Sequence, residues 1–389
     1  MTIKGKAYIA GIYEHPTRKA EDKSLAQLHA EVAKGALEDA GLTRDDVDGY
    51  FCAGDAPGLG GLSMADYMGL KVRHMDTTET GGSSYVIHVA HAAEAIAAGK
   101  CNVALITLAG RPRAEGTATG TASRNYGAAS PDVPFESPFG PTVVNQYAMA
   151  AMRHMYQYGT TSAQLAWIKV AASHHAQHNP HALLRDVVTV DDVVSSPMIS
   201  DPLHRLDCCV ITDGGGALVV VKPEVARSLK RPRVRVIGAG EALKHQMGGK
   251  IDLTYSGAVW SGPAAFSEAG VKPADIKYVS SYDSFTITAL ITLDDLGFCE
   301  KGQGGKFVSD GNLISGAGTL PFNTDGGGLC NNHPGNRGGL TKVVEAVRQL
   351  RGEAHPRVQV KNCDVALAHG TGGSLATRHG SATLIMERE

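Results

Sequence analysis

The chain has 389 residues, which is enough for two or three domains or for one duplicated fold. Its 37 Lys and Arg residues nearly balance its 39 Asp and Glu residues, and no basic stripe or acidic tail interrupts the mixture. This charge pattern excludes the electrostatic attraction that nucleic acid or an anionic membrane surface requires. No apolar run is long enough to cross a membrane, and the apolar stretch at residues 7–13 lacks a cleavage pattern, so we expect a cytoplasmic protein.

The seven cysteines are odd in number, scattered along the chain, and contain no Cys-x-x-Cys pair. We interpret them as reduced and mostly buried thiols rather than as a disulfide framework. His174 and His178 form an i,i+4 pair, but no acidic or cysteine partner stands beside them at metal-site spacing. The sequence therefore predicts neither a metal site nor a cofactor bound by this chain.

The first part of the chain alternates predicted strands and helices. A strand at residues 6–13 is followed by an amphipathic helix that begins near Leu25, and then by a short strand. Gly41 lies just past this helix, where a left-handed cap costs little. Gly81 and Gly82 then open an almost wholly apolar segment, and a further strand follows it. This order predicts a βαβ-rich unit with a buried central helix.

Residues 111–201 have no counterpart later in the chain. They include a Pro- and Ser-containing stretch at residues 130–141 and a helical stretch at residues 144–179. An insertion of this size on an α/β scaffold is usually a lid or a subdomain that shapes the substrate site.

The same order of elements returns in the second part of the chain. A strand at residues 233–240 precedes a helix that ends before Gly270, and a strand at residues 278–281 follows. Gly338 and Gly339 then open a second buried helix, just as the earlier glycine pair does.

This repeat predicts a duplicated α/β fold. We place the N-terminal half at residues 1–230 and the C-terminal half at residues 231–389. Because strands and helices alternate, we expect mixed to mostly parallel sheets with helices on both faces.

Three polar clusters fall at the ends of predicted strands, where open α/β sheets usually place their sites. The first cluster leads into the earlier buried helix and contains Gly82, Ser83 and Ser84. A helix N-terminus presents unpaired N–H groups and the positive end of its dipole, which suits an oxyanion or a nucleophile. The alternative is a glycine-rich turn in which a serine caps the helix.

The second cluster, Tyr282-Asp283-Ser284, directly follows the strand at residues 278–281. A tyrosine there could move a proton in an enclosed site. A phenol with a pKa near 10 is only about 0.1% ionised at pH 7, however, so the pKa of a basic Tyr282 would have to be lowered. The alternative is a tyrosine that packs its ring and bonds its hydroxyl locally.

The third cluster combines His333, in a turn rich in Asn and Gly, with His369, Gly372 and Gly373 after a later strand. A histidine so placed can polarise a carbonyl oxygen or move a proton near neutral pH. Because all three clusters occupy comparable strand ends of a twofold repeat, we expect them to converge on one cleft between the halves.

These clusters resemble motifs of the thiolase superfamily, specifically its sterol-carrier-protein branch and the thiolase-like aldolases of steroid side-chain breakdown. Residues 282–285 stand where that branch carries His-Asp-Cys-Phe, and residues 332–334 stand where it carries Gly-His-Pro. Residues 369–373 are similar to its Gly-rich C-terminal loop. The resemblance covers nearly the whole chain. It implies a duplicated fold in αβαβα layers with a loop-domain insertion, a homodimer, and a coenzyme A thioester as substrate.

The chain also departs from this family at two positions. Gly82 and Ser83 stand where the nucleophilic cysteine is expected, and Ser284 replaces the cysteine of the second motif. The resemblance therefore implies retro-aldol cleavage of a β-hydroxyacyl-CoA, which needs no acyl-enzyme. Tyr282 would take the hydroxyl proton, while His333 and backbone N–H groups of the glycine loops would hold the enolate oxygen.

Two other functions stay open on the sequence alone. One is an acyltransferase that uses Ser83, Ser84 or a direct non-covalent transfer. The other is a non-catalytic subunit that binds acyl-CoA or lipid, with the missing thiols marking a retired site. The resemblance to the aldolases further implies a separate partner protein with a zinc ribbon and an OB-fold, because this sequence contains no such module.

Overall fold

Strands and helices alternate along most of the chain. The computed structural model describes residues 2–121, 133–140, 142–244, 252–335, 338–375 and 379–389. The strands are β1 (Tyr8–Glu14), β2 (Gly49–Phe51), β3 (His74–Asp76), β4 (Val103–Gly110), β5 (Met198–Ser200), β6 (Leu203–His204), β7 (Gly214–Val221), β8 (Val234–Lys244), β9 (Tyr278–Ser281), β10 (Val365–Gly373) and β11 (His379–Arg388). The helices are α1 (Leu25–Ala40), α2 (Gly61–Met68), α3 (Ser84–Ala97), α4 (Val133–Glu136), α5 (Val143–Tyr158), α6 (Ser162–Ala176), α7 (Val190–Val194), α8 (Pro223–Ser228), α9 (Ala258–Ala269), α10 (Thr286–Asp295), α11 (Gly304–Val308) and α12 (Gly339–Arg351).

Nine strands form one mixed sheet in the order β3-β2-β4-β7-β1-β8-β11-β10-β9. The pairs β2–β3, β2–β4 and β9–β10 are parallel, and the five other pairs are antiparallel. The predicted α/β class and mixed sheet are confirmed, but the expectation of a mostly parallel sheet is wrong. The reason is that β7 and β11 return against the strands before them, and the two repeats meet through antiparallel β1 and β8.

The sheet order itself is duplicated. Read from the outside inward, β2-β4-β7-β1 on one side corresponds to β9-β10-β11-β8 on the other. Helix α1 packs on β1, β7 and β4, and α9 packs on β8 and β11 in the same way. Helices α3 and α12 lie between the two sets of strands and contact both, which gives the five expected layers. The boundary at residue 230 and the insertion limits of 111–201 stay predictions.

Matching glycines let each outer helix lie directly on its strand. A Cβ at Gly11 of β1 would come 2.1 Å from the carbonyl oxygen of Ala36, and one at Gly240 of β8 would come 2.2 Å from that of Ser261. Both outer helices also end as the sequence predicts, since Gly41 and Gly270 adopt φ values of 71° and 70°. These caps are local features, so the sequence reveals them directly.

The described part of the insertion contributes helices that reach the second repeat. The predicted helical stretch divides at Gly159 into α5 and α6, and Thr142 and Thr161 close a capping box at the start of each. Helix α6 packs against α10 and the turn at residues 327–331. Residues 122–132 and 141, which include both ends of the predicted Pro- and Ser-containing stretch at residues 130–141, lie outside the described residues. Across the ranges that are described, no helix combines the length and apolar character needed to span a bilayer.

Candidate active site

Tyr282 and His333, which are 51 residues apart in the sequence, meet in the structure. Tyr282 follows β9, and its backbone N–H donates to the carbonyl oxygen of His369 at 2.9 Å. His333 follows a tight helical turn at residues 327–331. The phenolic oxygen of Tyr282 lies 2.7 Å from Nε2 of His333. The structure thus brings together the two residues that sequence analysis proposed for proton transfer.

Both groups of this pair are neutral near pH 7. Burial raises the pKa of Tyr282 well above its usual value of 10. Burial also lowers the pKa of His333 to about 4. The phenol therefore donates to Nε2, and Nδ1 of His333 carries the ring proton. Nδ1 has no hydrogen-bond partner among the residues that the structure describes. The sequence analysis required a lowered pKa for a basic Tyr282, and burial shifts this pKa in the opposite direction.

Two helix N-termini meet at the ring of Tyr282. A Cβ at Gly82, just before α3, would lie 2.7 Å from Cε2 of Tyr282 and 2.4 Å from the carbonyl oxygen of Thr371. A Cβ at Gly338, just before α12, would lie 3.2 Å from the same Cε2 atom. The positive ends of both helix dipoles therefore lie close to the phenol, where they favour negative charge on a nearby oxygen.

The glycine loop after β10 closes against the loop before α3. A Cβ at Gly372 would come 1.7 Å from the carbonyl oxygen of Thr80, so no other residue fits there. Gly373 adopts a φ of 74°, and its carbonyl oxygen accepts from the hydroxyl of Tyr147 on α5 at 3.3 Å. These predicted glycines therefore border the site through their backbone, and the insertion reaches it through Tyr147.

Asp283 is buried beside the pair and holds the turn that leads to His333. One oxygen, Oδ1, accepts from the backbone N–H of Gly328 at 2.7 Å and lies 3.0 Å from Nζ of Lys342. The other oxygen, Oδ2, accepts from the N–H of Leu329 at 3.2 Å. Within the part of the chain that the structure describes, the hydrogen bonds and the ion pair of both oxygens are with this turn and with α12. The carboxylate of Asp283 therefore holds the turn that precedes His333.

Lys342 is a buried cation that sequence reasoning missed. Burial alone would lower the pKa of Lys342, but the negative charges of Asp283 and Asp325 outweigh burial and raise the pKa. A signal was present in the sequence, because this lysine interrupts an apolar segment three residues after Gly339. Buried lysines are rarely left without a partner, and the carboxylate that Lys342 meets is that of Asp283.

The three candidate serines use their hydroxyls locally. Ser83 Oγ donates to the carbonyl oxygen of Thr80 at 3.0 Å, and Ser84 Oγ accepts from the N–H of Thr80 at 2.8 Å. Ser284 Oγ is bonded to the hydroxyl of Thr288, one turn into α10, at 3.0 Å. Within the described ranges no hydrogen bond joins any of them to His333. The structure therefore places these serines in helix-start contacts.

His369 supports the site through its backbone, while its ring lies elsewhere. Nδ1 of His369 is bonded to the hydroxyl of Thr383 on β11 at 2.9 Å, and burial lowers the pKa of this histidine to about 3. Thr383 in turn meets Ser261 of α9 at 2.9 Å. The imidazole of His369 is therefore on the α9 side of the sheet.

Two cysteines lie near the site, and neither is activated. Sγ of Cys330 accepts from Nζ of Lys169 on α6 at 3.2 Å, and burial raises the pKa of this thiol. Cys209, whose N–H donates to the carbonyl oxygen of Ser284 at 2.9 Å, is also buried, and its pKa is raised well above the usual value. Both thiols are therefore protonated near neutral pH, and a thiol nucleophile must be a thiolate.

A further contact to His333 was invisible in the sequence. The hydroxyl of Thr212, between β6 and β7, accepts from the N–H of His333 at 2.8 Å and donates to Oδ1 of Asn332 at 2.7 Å. Thr212 belongs to the first repeat and lies more than 100 residues away. Only the tertiary structure brings it to the turn.

Known proteins share this architecture over nearly its full length. Residues 240–388 match the thiolase C-terminal domain-like family. The acetyl-CoA acetyltransferase of Methanothermobacter thermautotrophicus is 32% identical, covering 95% of this chain and 97% of that protein. The steroid side-chain-cleaving aldolase of Thermomonospora curvata is 34% identical, covering 90% of this chain and 91% of that protein.

A solved structure named Ltp2-ChsH2(DUF35) aldolase superposes with a TM-score of 0.89 at 31% identity, covering 99% of this chain and 98% of that one. A monomeric SCP2-thiolase-like protein from Mycobacterium smegmatis shares the fold, with a TM-score of 0.73 at 20% identity, covering this whole chain and 78% of that one. Relatives of about one-third identity therefore match this chain over nearly its full length. The chain is an enzyme that belongs to the thiolase superfamily, in its SCP2-thiolase-like branch.

Proposed function

We propose that this enzyme is a lyase that cleaves a carbon–carbon bond of a β-hydroxyacyl-CoA by a retro-aldol reaction. The observation that carries the proposal is the 2.7 Å contact between the phenolic oxygen of Tyr282 and Nε2 of His333, at the start of two buried helices. The names of two full-length relatives, a steroid side-chain-cleaving aldolase and a pregnene-carboxyl-CoA lyase, support this class of reaction.

In the first step the substrate β-hydroxyl gives its proton to the oxygen of Tyr282, while the phenolic proton moves to Nε2 of His333. The Cα–Cβ bond then breaks, its electron pair passes to the thioester as an enolate, and the β-carbon leaves as a ketone or aldehyde. The proton held by the pair returns to Cα of the enolate, so the products are a carbonyl compound and a shortened acyl-CoA.

This relay fits the pKa values of the buried pair. Charging His333, whose pKa is about 4, costs three pKa units at pH 7, or about 4 kcal/mol. A turnover of about 10 per second corresponds to a barrier of about 16 kcal/mol, so charging His333 takes up about a quarter of the barrier, and ionising the substrate hydroxyl adds to this cost. Ionising Tyr282 without a proton acceptor would be harder, because burial opposes the phenolate.

The enolate oxygen needs hydrogen-bond donors that are already in place. The N-termini of α3 and α12 meet beside Tyr282, and Gly82 and Gly338 keep side chains out of the space between them. One good donor to such an oxyanion is worth about 3 to 4 kcal/mol. The sequence analysis also gave this task to His333, but Nε2 of His333 bonds to Tyr282, so we assign the enolate oxygen to the backbone N–H groups at these two helix starts.

Among the described residues, the start of α3 offers no activated nucleophile for covalent acyl transfer. Gly82 and Ser83 occupy the helix start at which the family resemblance places the nucleophilic cysteine. The hydroxyl of Ser83 donates to a backbone carbonyl, and no histidine activates it among the residues described. The relative named acetyl-CoA acetyltransferase favours acyl transfer as the second candidate. Formation of free coenzyme A or a labelled acyl-protein would identify that reaction.

The decisive experiment combines a substrate panel with one variant. The purified enzyme is incubated with β-hydroxyacyl-CoA and β-ketoacyl-CoA thioesters, and both fragments are followed by mass spectrometry. Tyr282→Phe should lower kcat by about 10²- to 10⁴-fold and leave acyl-CoA binding intact. Tyr278→Phe is the matched control. Tyr278 lies four residues before Tyr282 and is also buried, but its hydroxyl bonds to Thr324. The Tyr278→Phe variant should therefore keep its turnover. Unchanged cleavage by Tyr282→Phe would defeat the assignment.

We also propose that the enzyme forms a homodimer and works with a second protein that carries a zinc ribbon and an OB-fold. The solved structure named Ltp2-ChsH2(DUF35) aldolase, whose name joins two components, supports a partner of this kind. Light scattering of the chain alone tests the dimer. Cleavage assays with and without the candidate partner test the second requirement.

A further inference from the structure

Residues at the end of the first strand make hydrogen bonds to the two residues that precede His333. Glu14, the last residue of β1, and Arg18 form a buried ion pair with a distance of 2.8 Å between Oε1 and Nη2. Arg18 donates from Nε to the carbonyl oxygen of Asn331 at 3.1 Å and from Nη2 to its Oδ1 at 2.7 Å. Glu14 Oε1 accepts from the side-chain amides of Asn331 at 3.0 Å and of Asn332 at 3.1 Å.

The guanidinium of Arg18 is held in one orientation. Besides these three bonds, its Nη1 donates to the carbonyl oxygens of His15 at 2.8 Å and Thr17 at 2.9 Å. The five N–H groups of an arginine thus match five acceptors. The carboxylate of Glu14 stays ionised, because the charges of Arg18 and Arg348 outweigh the effect of burial and lower its pKa.

A short chain of contacts links this ion pair to the catalytic histidine. Asn332, which donates to Glu14, accepts at Oδ1 from the hydroxyl of Thr212 at 2.7 Å. The same hydroxyl accepts from the backbone N–H of His333 at 2.8 Å. Side chains of the first repeat therefore fix both residues before His333 and the backbone of His333 itself.

We propose that Glu14 and Arg18 are positioning residues that keep the imidazole of His333 at hydrogen-bond distance from Tyr282. This inference rests on the proposed function. A buried ion pair contributes little net stability, since desolvation offsets its attraction, so its main effect is the geometry that it imposes. Proton transfer needs donor and acceptor within about 3.2 Å, and a displacement of about 1 Å can cost about 100-fold in rate.

We call Glu14 and Arg18, with their bonds to Asn331 and Asn332, the clamp. Arg18→Lys tests the clamp because it keeps the positive charge and removes the two guanidinium N–H groups that bond to Asn331. We expect kcat to fall about 100-fold with KM nearly unchanged, since substrate contacts are not altered. Thr212→Val should lower kcat in the same direction without touching the ion pair, and it keeps the test decisive if Arg18→Lys fails to fold. Arg351→Lys is the matched control, because Arg351 is also buried and pairs with a carboxylate, that of Asp39, at 2.8 Å. It should keep its kcat.

A measurement without turnover separates this inference from the proposed reaction. In protein labelled with ¹⁵N at histidine, the ring signals of His333, assigned by comparison with His333→Gln, should shift in Arg18→Lys and Thr212→Val but not in Arg351→Lys. If no thioester is cleaved by the natural enzyme, the proposed function fails and these shifts still test the clamp. Unshifted His333 signals in both variants, or an equal loss of kcat in the Arg351→Lys control, would overturn the clamp.

Discussion

Each repeat contains a buried aspartate that contacts the first turn of a central helix, but the other partners of the two aspartates differ. In the first repeat, Asp55 lies beyond β2 and accepts from the hydroxyl of Tyr85 in the first turn of α3. In the second repeat, Asp283 lies beyond β9 and pairs with Lys342 in the first turn of α12. Each carboxylate thus ties the end of a short outer strand to the start of a central helix.

The two carboxylates differ in their remaining hydrogen-bond partners. Asp55 also accepts from the N–H of Ala109 at 2.9 Å and lies 3.3 Å from Nε2 of His29, so its described contacts stay within the core of the first repeat. Asp283 accepts instead from two N–H groups of the turn that leads to His333. The comparison teaches that similarly placed carboxylates contact the core in one repeat and hold the turn before His333 in the other.

Removing the helix partner should cost more in the second repeat than in the first. Lys342→Met leaves the buried charge of Asp283 without its cation, which typically costs about 3 to 5 kcal/mol. Tyr85→Phe removes one hydrogen bond to a carboxylate, which typically costs about 1.5 to 3 kcal/mol. Denaturant unfolding followed by circular dichroism at pH 7 compares the two variants.

Asp283→Asn, added to Lys342→Met, serves as the control for this comparison. It removes the unpaired charge and should recover part of the lost stability, although the amide offers fewer acceptor sites to the turn. A Tyr85→Phe variant less stable than Lys342→Met would show that the two anchors are not distinguished by charge.

The same comparison predicts an unusual acid limit for activity. Because His333 has a pKa of about 4, it stays neutral and able to accept a proton far below the usual histidine range. The value of kcat/KM should therefore hold between pH 7 and about 5 and fall near pH 4. In Lys342→Met the acid limit should move to higher pH, because Asp283 raises and Lys342 lowers the pKa of His333.

The lowered pKa of His333 should also make the free energy of unfolding fall as the pH is lowered. The unfolded chain protonates His333 near pH 6.5 and the folded protein only near pH 4, so the unfolded state takes up the proton first. The contribution of this group is complete above pH 6.5 and is lost as the pH falls to 4. The difference of 2.5 pKa units corresponds to about 3 kcal/mol. An activity limit near pH 6.5 would contradict the buried, neutral histidine.

Local signals in the sequence predict most of this architecture. The glycine caps after α1 and α9, the glycine pairs before α3 and α12, and the apolar periods are all contained in short windows, and the structure confirms them. The rule that polar strand ends converge also brought Tyr282 and His333 together correctly. These features depend on neighbours in sequence or on one general property of α/β sheets.

Features that depend on distant partners could not be predicted. The antiparallel pairing of β1 with β8 joins strands more than 200 residues apart, and no local pattern specifies that orientation. Burial reversed the pKa shift that the sequence analysis required of Tyr282, since the depth of a side chain is a property of the whole fold. Arg18, which bonds to Asn331, and Thr212, which bonds to the N–H of His333, likewise come from the opposite repeat.

The smallest expected effect is at the helix start where the family resemblance places a nucleophile. Ser83 Oγ donates to the carbonyl oxygen three residues earlier, and Thr341 Oγ1 makes the same kind of bond to the carbonyl oxygen of Gly338 at 2.8 Å. Ser83→Ala and Thr341→Val should therefore each cost only about 1 kcal/mol of stability, and Ser83→Ala should leave lyase kcat nearly unchanged. Steady-state kinetics beside thermal unfolding of both variants makes the comparison. If Ser83→Ala abolished turnover while Thr341→Val did not, this hydroxyl would be a nucleophile, and acyl transfer would replace retro-aldol cleavage as the reaction of this enzyme.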